Sequence, residues 1–214
     1  MRLDHVSYVA SHDQISDVVN RIGSQIGTAF VDGGIHPKFG TRNFTAPLLN
    51  GQYIEVVCPL DHPATDTTPF GQAVKNKAQD GGGWLAWIFS ADDISDVEVK
   101  LGRKAVLGYR TRPDGTQLEW KQIGINQVIV ANEFPFFIQW LTLNHPSLDG
   151  KAVAKIKGID IASENRLANS LFKSEIEDAT SEIDIKWKNP EEVQLASGIL
   201  NVTFDINSKG ITIE

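Results

Sequence analysis

Two ionisable side chains, His5 and Glu55, lie within apolar stretches that are typical of β-strands. A carboxylate inside an apolar strand is destabilising unless it is paired or ligated. Glu55 could therefore bind a metal ion, pair with a base, or act as a general base with a raised pKa. It could also point outward from the edge of a sheet. His5 could likewise face a cleft, or it could be a core histidine whose ring nitrogens are satisfied by neighbours.

Further polar candidates follow in a segment rich in glycine, where the chain carries His36, Thr41, Arg42 and Asn43. These side chains could line a cleft and contact a ligand. They could equally satisfy the backbone of a loop that the glycines shape. The sequence favours neither interpretation over the other.

Arg110 and Arg112 could hold an anionic substrate through bidentate hydrogen bonds, or they could form the solvated rim of a hairpin. Trp120 or Trp140 could stack on a ligand ring, while the alternative for both is a place in the core. Cys58 has no neighbouring base in the sequence, so we interpret it as a small buried hydrophobic residue. No role is predicted for the loop histidines His12, His62 and His145.

A repeated pattern predicts the elements that position these side chains. The tetrapeptide Ile-Ser-Asp-Val occurs at residues 15–18 and again at 94–97, each time after an apolar run and before a glycine. In the first copy we predict a strand at 3–10, a helix capped by Asp13 and closed by Gly23, and a strand at 26–31. A loop at 32–40 and strands at 42–48 and 52–58 follow, joined by a tight Asn50-Gly51 hairpin.

The second copy predicts the same order. We expect a strand at 84–90, a helix capped by Asp92 that ends near Gly102, and strands at 105–109, 117–123 and 134–143. A third, shorter copy of the pattern predicts strands at 156–161, 183–187, 198–204 and 211–213, with a helix at 165–172. The predicted divisions are a first βαβββ module at 1–60, a linker with a short helix at 61–83, a second module at 84–146, and a C-terminal βαβββ-like extension at 151–214.

Composition limits the class of protein. With 214 residues and 41% hydrophobic content, the chain can form one large domain or two small ones. A net charge of −7 argues against a nucleic-acid partner. A single cysteine excludes an internal disulfide and fits a reducing, cytoplasmic location. No signal peptide and no membrane span are expected, since no apolar run is long enough.

The order strand, helix and three strands, used in a pair, resembles the glyoxalase-like branch of the vicinal oxygen chelate superfamily. Four segments carry the resemblance: Leu3-Asp4-His5-Val6, His36-Pro37-Lys38-Phe39-Gly40-Thr41-Arg42-Asn43, Tyr53-Ile54-Glu55-Val56 and Pro135-Phe136-Phe137-Ile138-Gln139-Trp140. The resemblance covers roughly residues 1–145. It implies an α+β fold in which paired βαβββ modules form a curled mixed sheet around a cleft.

In such families the ligands of a divalent metal come from the first and last strands of each module. Carried over, this gives His5 and Glu55 from the first module. In the second module Trp84 or Leu85 takes the place of His5, and neither can bind a metal, whereas Gln139 takes the place of Glu55. The implied metal ligands are therefore His5, Glu55 and Gln139, with a histidine at 36 as a further recruit, and the implied metal is zinc, nickel, iron or manganese.

Two functions follow from the resemblance. In the first, a metal-dependent lyase, isomerase or dioxygenase uses the metal on His5 and Glu55 to polarise a carbonyl or enediolate oxygen, and Glu55 moves a proton. In the second, a metal-free protein binds or sequesters a small organic molecule in the same cleft. A purely structural interaction module is a third alternative. The residues expected to contact the small molecule are His36, Arg42, Asn43, Trp120, Gln139 and Trp140. The cleft could belong to a monomer or to a homodimer, without nucleic-acid or membrane partners.

Overall fold

The first unit of the chain has the predicted order of strand, helix and three strands. The computed structural model describes residues 1–130, 133–163, 171–193 and 197–214. The elements of this unit are β1 (Arg2–Val9), α1 (Ile15–Ile26), β2 (Val31–His36), β3 (Thr41–Pro47) and β4 (Tyr53–Pro59). Asn50 and Gly51 turn the chain between β3 and β4 with φ of 63° and 68°, which confirms the predicted hairpin.

The second unit repeats this order with one additional helix. Its elements and the linker before it are α2 (Pro63–Thr67), α3 (Pro69–Gln79), β5 (Gly83–Ser90), α4 (Ser95–Leu101), β6 (Val106–Thr111), β7 (Gln117–Ile123), α5 (Ile125–Val130) and β8 (Phe136–Trp140). Helix α5 was not predicted, because its sequence is rich in β-branched residues that have low helix propensity. Burial of Val128 against the barrel interior outweighs that local preference.

Eight of the described strands close into a barrel in the order β1-β4-β3-β2-β6-β7-β8-β5. Within each unit the first and last strands lie side by side and parallel, β1 with β4 and β5 with β8. The units join where β1 pairs antiparallel with β5, and again where Ile35 of β2 pairs with Thr111 of β6. The predicted curled mixed sheet around a cleft is confirmed.

The C-terminal unit forms a separate four-stranded sheet. Its elements are β9 (Lys155–Ala162), α6 (Lys173–Ala179), β10 (Asp184–Lys188), α7 (Pro190–Val193), β11 (Gly198–Ile206) and β12 (Lys209–Ile213), and its strand order is β10-β9-β11-β12. The four strands follow in the predicted order, but helices α6 and α7 were not predicted at these positions. The pairing differs from that of the first two units, because the first strand pairs in parallel with the second strand rather than with the last. The helix predicted at 165–172 lies largely outside the described residues, since 164–170 are not described.

Helix α1 extends one turn beyond the predicted end. It stops at Ile26, and Gly27 adopts a left-handed conformation with φ of 70° while its N–H donates to the Gly23 carbonyl. The prediction that Gly23 ends the helix was wrong. The reason is that Ile26 is fully buried and continues the apolar face begun by Ile15 and Ile22, so that packing carries the helix past one unfavourable glycine.

Neither predicted aspartate cap is used. Gln14 and Ile94 occupy the N-cap positions of α1 and α4, without a side-chain capping bond. Asp13 instead accepts a hydrogen bond from Ser11 at 2.6 Å.

Strand β2 lies where a loop was predicted. The strand predicted at 26–31 and the loop predicted at 32–40 were wrong, because the glycines in this segment permit close packing instead of breaking the strand. Gly33 is buried, and a Cβ atom there would collide with Asn43 and with Arg110. Glycine inside a strand often marks such a close approach.

Two apolar clusters hold the fold together. The larger one joins the outer face of the barrel to the C-terminal sheet, with Ile22 and Trp84 on one side and Ile156 and Phe204 on the other. The smaller one lies inside the barrel and includes Phe70. Because the C-terminal sheet shares the larger core, it buries one face of the barrel.

Within the described residues, none of the helices combines the length and the apolar character that crossing a membrane would require.

Candidate functional site

A cavity lies inside the barrel. The empty space between its lining atoms is about 550 Å³, yet only about 40 Å³ can hold the centre of a water molecule. One ordered water requires roughly 10–15 Å³ on the second measure. The cavity is therefore narrow and suits a small or flat molecule.

The wall of the cavity is apolar on one part and polar on the other. The aromatic and aliphatic part includes Phe39, Phe70, Trp120, Ile125, Phe136 and Trp140. The polar part consists of His5, Ser7, His36, Asn43, Tyr53, Glu55, Arg110 and Gln122. An apolar cavity with a few convergent polar groups is the usual form of a small-molecule site.

The alternation of strands β1 and β4 brings four of these polar residues together. His5 and Ser7 are two apart on β1, and Tyr53 and Glu55 are two apart on β4, so each pair faces the interior. The register places His5 beside Tyr53 and Ser7 beside Glu55. The parallel pairing of first and last strands thus assembles a compact polar cluster.

Both oxygens of the Glu55 carboxylate accept hydrogen bonds. The Ser7 hydroxyl donates to Oε2 at 2.8 Å, and the Asn43 amide donates to Oε1 at 2.7 Å. Burial alone would raise the pKa of Glu55, but interactions with His5 and His36 and these two hydrogen bonds outweigh burial and lower the pKa. Of the alternatives left open for Glu55, the general base with a raised pKa does not match this environment, because the carboxylate is stabilised.

Arg110 extends into the cavity from β6. Its side chain is 2% exposed, and Nη1 donates to the Asn43 side-chain oxygen, so that Asn43 links Arg110 to Glu55. The Arg110 Nε atom is buried without a hydrogen-bond partner among the described residues. No carboxylate of the described chain forms an ion pair with it. Arg110 is therefore a cavity residue rather than the solvated rim that was one of its two interpretations.

A buried aspartate orients His5. Nδ1–H of His5 donates to the Asp4 carboxylate at 3.0 Å, and His5 Nε2 lies 3.3 Å from the Tyr53 hydroxyl, whose ring stacks on the imidazole. His145 Nε2 lies 3.1 Å from the other Asp4 oxygen. His145, for which no role was predicted, therefore belongs to the support of the site.

His36 lies on the opposite side of the polar cluster from β1. Its Nδ1 is 3.0 Å from the Thr41 hydroxyl, and its ring makes an edge contact with Trp120. Burial, together with the positive charge of Arg110, lowers the pKa of His36 to about 3. His36 is accordingly a neutral imidazole at neutral pH.

Comparison with known proteins places the chain in a family. The family model described as the glyoxalase-like domain matches residues 3–174. The chain belongs to this family. The resemblance predicted from the sequence is thereby confirmed. No curated protein matches the chain.

Three solved structures align with the chain. A hypothetical protein from Staphylococcus aureus aligns over 100% of this chain and 85% of its own, with a TM-score of 0.58 and 18% identity. Methylmalonyl-CoA epimerase from Mycobacterium tuberculosis aligns over 65% of this chain and 86% of its own, with a TM-score of 0.43 and 13% identity. A variant of the Streptomyces coelicolor epimerase in complex with 2-nitronate-propionyl-CoA aligns over 66% and 99%, with a TM-score of 0.44 and 12% identity. At 18% identity, the likeness to the Staphylococcus aureus protein concerns the fold alone.

Most of the predicted site residues of this glyoxalase-like chain meet in the cavity. His5, His36, Asn43, Glu55, Trp120 and Trp140 all line it. Two others do not. Arg42 lies on the outer face of β3 and pairs with Asp32. Gln139 also lies outside, where its amide donates to the Asp92 carbonyl at 2.8 Å. Both were predicted to contact a ligand in the cavity. Adjacent residues on a strand face opposite sides of the sheet, so the neighbours Asn43 and Trp140 face inward instead.

The divalent metal implied by the resemblance does not fit this site. Gln139 points away from the cavity, and both ring nitrogens of His5 already have protein partners. The cavity also contains the Arg110 cation, which would repel a metal ion. No group of three or more His, Cys, Asp or Glu side chains suited to a metal occurs within the described parts of the chain.

Sequence reasoning did not select Ser7, Tyr53 and Gln122 as polar residues of the cavity, and it offered a substrate contact for Arg110 only as one of two interpretations. The signal for the first three was the strand period. Ser7, Tyr53 and Gln122 stand two residues from His5, Glu55 and Trp120 on the same strand faces. Arg110 gave no comparable signal, since its strand carries only one other buried residue, Gly108.

Proposed function

We propose that this glyoxalase-like protein binds a small organic acid in the barrel cavity without a metal ion. The carboxylate of the acid lies at Arg110, and its apolar part lies against the aromatic wall. The observation that carries the proposal is the buried guanidinium of Arg110, which has an unpaired Nε atom and no carboxylate partner among the described residues.

Electrostatics supports an anionic ligand. Glu55 and Asp149 act on Arg110 only from a distance, and a carboxylate ligand would supply a direct counter-charge together with bidentate hydrogen bonds. Glu55 does not take this role, because Asn43 lies between the two side chains and bonds to both.

The shape and lining of the cavity support a small, partly apolar body. The indole rings of Trp120 and Trp140 lie 5.7 Å apart and face the cavity together with Phe136. Flat or branched acids such as phenylacetate and 3-methylbutanoate match this narrow space.

Titration of tryptophan fluorescence tests the proposal. We expect saturable quenching by phenylacetate and 3-methylbutanoate, and at least about tenfold weaker binding of the corresponding amides. Arg110→Gln should lose about tenfold or more in affinity. Arg110→Lys should recover only part of the affinity, because lysine lacks the planar fork. Arg42→Gln, on the outer face, is the matched control.

Equal affinity for acids and amides, or unchanged binding in Arg110→Gln, would contradict the proposal. Thermal unfolding of each variant ensures that a loss of binding is not a loss of fold.

A second candidate function, proton transfer, is favoured by the position of Glu55. This ionised carboxylate faces the same cavity, and two of the lone-pair sites on its oxygens stay free beyond the bonds from Ser7 and Asn43. It could remove a proton from the carbon next to the ligand carboxylate.

Exchange of that proton in D₂O, followed by NMR, tests the second function. Protein-dependent exchange that is lost in Glu55→Gln while binding persists would support catalysis. Ligand binding without any proton exchange would contradict the second function and support a role in binding alone.

A further inference from the structure

A second hollow lies beside the cavity and shares part of its wall. Its empty space is about 600 Å³, of which about 190 Å³ can hold the centre of a water molecule. Phe39, Phe70, Gln122 and Ile125 line both hollows. These four side chains form a wall that the two hollows share, so the hollows are adjacent.

All the charged residues that line the second hollow are basic. They are Lys38, Arg103 and Lys104, and no Asp or Glu from the described part of the chain lines it. Lys104 pairs with Glu98 at 2.8 Å. The other two cations form no ion pair with a described carboxylate.

Lys38 and Arg103 both retain donors for an anion. Lys38 Nζ donates to the Leu107 carbonyl at 2.8 Å, which leaves two of its three protons free. Arg103 donates from Nη2 to Gln127, and its Nε atom is buried without a partner among the described residues. Two cations from separate loops therefore converge on an otherwise apolar hollow.

We propose that the second hollow is a subsite for a second anionic group on the ligand, bound by Lys38 and Arg103. This inference rests on the proposed function, in which the first carboxylate lies at Arg110. The ligand class is then a dianion with one carboxylate, an apolar spacer that passes between Phe39 and Ile125, and a terminal phosphate or carboxylate. The apolar lining of both hollows matches the spacer, and the two ends match the separate cations.

Calorimetric titration at low salt with three series of straight-chain ligands tests the subsite. The series are monocarboxylic acids, α,ω-dicarboxylic acids and ω-phosphono acids of increasing length. At the best length, we expect a dianion to bind about tenfold or more tightly than the monocarboxylic acid of the same length, with a stronger dependence on salt. Whether the phosphono or the dicarboxylic series gains more identifies the second anion.

The variants separate the subsite from the primary site. Lys38→Gln/Arg103→Gln should remove the advantage of the dianion and leave the monocarboxylic acid unaffected. Lys157→Gln, an exposed lysine on β9, should change neither. Arg110→Gln should weaken both kinds of ligand.

The failures of the two proposals differ. If monocarboxylic acids bind in an Arg110-dependent manner but dianions gain nothing, or if their gain survives in Lys38→Gln/Arg103→Gln, the subsite is overturned and the proposed function stands. If no series binds, or if Arg110→Gln has no effect, the proposed function fails and the subsite fails with it.

Discussion

Asp4 is a fully buried carboxylate that accepts hydrogen bonds from His5, His145 and Trp140 and pairs with Arg2. Burial alone would raise the pKa of Asp4, but the hydrogen bonds with the two histidines outweigh it and hold the pKa well below the ordinary value. Asp4 thus fixes the His5 ring without itself lining the cavity, which makes it a positioning residue.

Asp4→Asn should destabilise the fold by about 1–3 kcal/mol, because an amide cannot accept all of these hydrogen bonds. Folding lowers the pKa of Asp4, so its contribution is fully present above the unfolded-state pKa of about 3.9 and is lost as the pH falls below that value. Urea denaturation at several pH values measures both effects. The variant should lose less stability than the wild type below pH ~4.

Asp61→Asn, an exposed aspartate, is the control and should behave as the wild type. Identical unfolding curves for Asp4→Asn and the wild type would show that the buried network adds no stability.

His36 is the opposite case, a buried base without a counter-ion in direct contact. Its pKa falls to about 3, chiefly because of burial. The unfolded chain therefore takes up a proton near pH 6.5, while the folded chain stays neutral down to about pH 3. The stability of the fold should decrease as the pH falls through this window.

NMR titration of the imidazole nitrogens checks this prediction. The His36 resonances should not shift between pH ~8 and ~5. In His36→Gln, the loss of stability between those pH values should be smaller. A His36 titration near neutral pH would contradict the burial argument.

At the scale of elements, strands β6 and β7 depend on a glycine for their packing. Gly108 pairs with Trp120, whose indole lies so close that a Cβ atom at 108 would overlap the ring. The glycine therefore permits Trp120 to lie flat against β6 and to contribute to the aromatic wall of the cavity. Gly33 plays the same part on β2 for the pair formed by Asn43 and Arg110.

Gly108→Ala should destabilise the protein by about 1–3 kcal/mol through overpacking and should change the tryptophan emission spectrum. Chemical denaturation followed by fluorescence measures both. Gly210→Ala is the matched control, because a Cβ there meets only Thr203 at an ordinary 3.9 Å. If the two variants have the same stability, the close contact between residue 108 and Trp120 does not restrict the side chain at 108.

At the scale of the whole molecule, the barrel and the C-terminal sheet share one apolar core. Trp84 of β5 donates from its indole to the Ile213 carbonyl of β12, and its ring lies 6.4 Å from that of Phe204 on β11. Loss of packing in the C-terminal sheet should therefore also destabilise the barrel, and the two parts should unfold together.

Phe204→Ala should cost about 3–5 kcal/mol, since the side chain is fully buried. Near-ultraviolet circular dichroism and tryptophan fluorescence should move together to lower denaturant concentration, because both parts lose the same core. Val99→Ala, at a site that is 80% exposed, should have little effect. Separate transitions by the two probes would mean that the barrel is stable without the sheet.

The sequence by itself determined the order of elements in the two βαβββ units and the tight hairpin at Asn50 and Gly51, and the family resemblance favoured inward positions for His5 and Glu55. These features follow from local patterns: strand alternation, helical spacing and turn chemistry act over a few residues. The family resemblance rested on the same short segments. A local pattern does not determine which of two adjacent side chains faces the interior, so Arg42 and Gln139 were assigned to the wrong face.

Only the tertiary structure decided the chemistry of the cavity. Asp4 meets His145, and Asn43 meets Arg110, across sequence separations of 141 and 67 residues that no local pattern reports. Those contacts lower the pKa of Asp4, connect Glu55 to the buried guanidinium of Arg110, and leave that guanidinium at the wall of the barrel cavity. The physical reason is that closure of the barrel removes these groups from water, and their partners then come from whichever strands lie opposite.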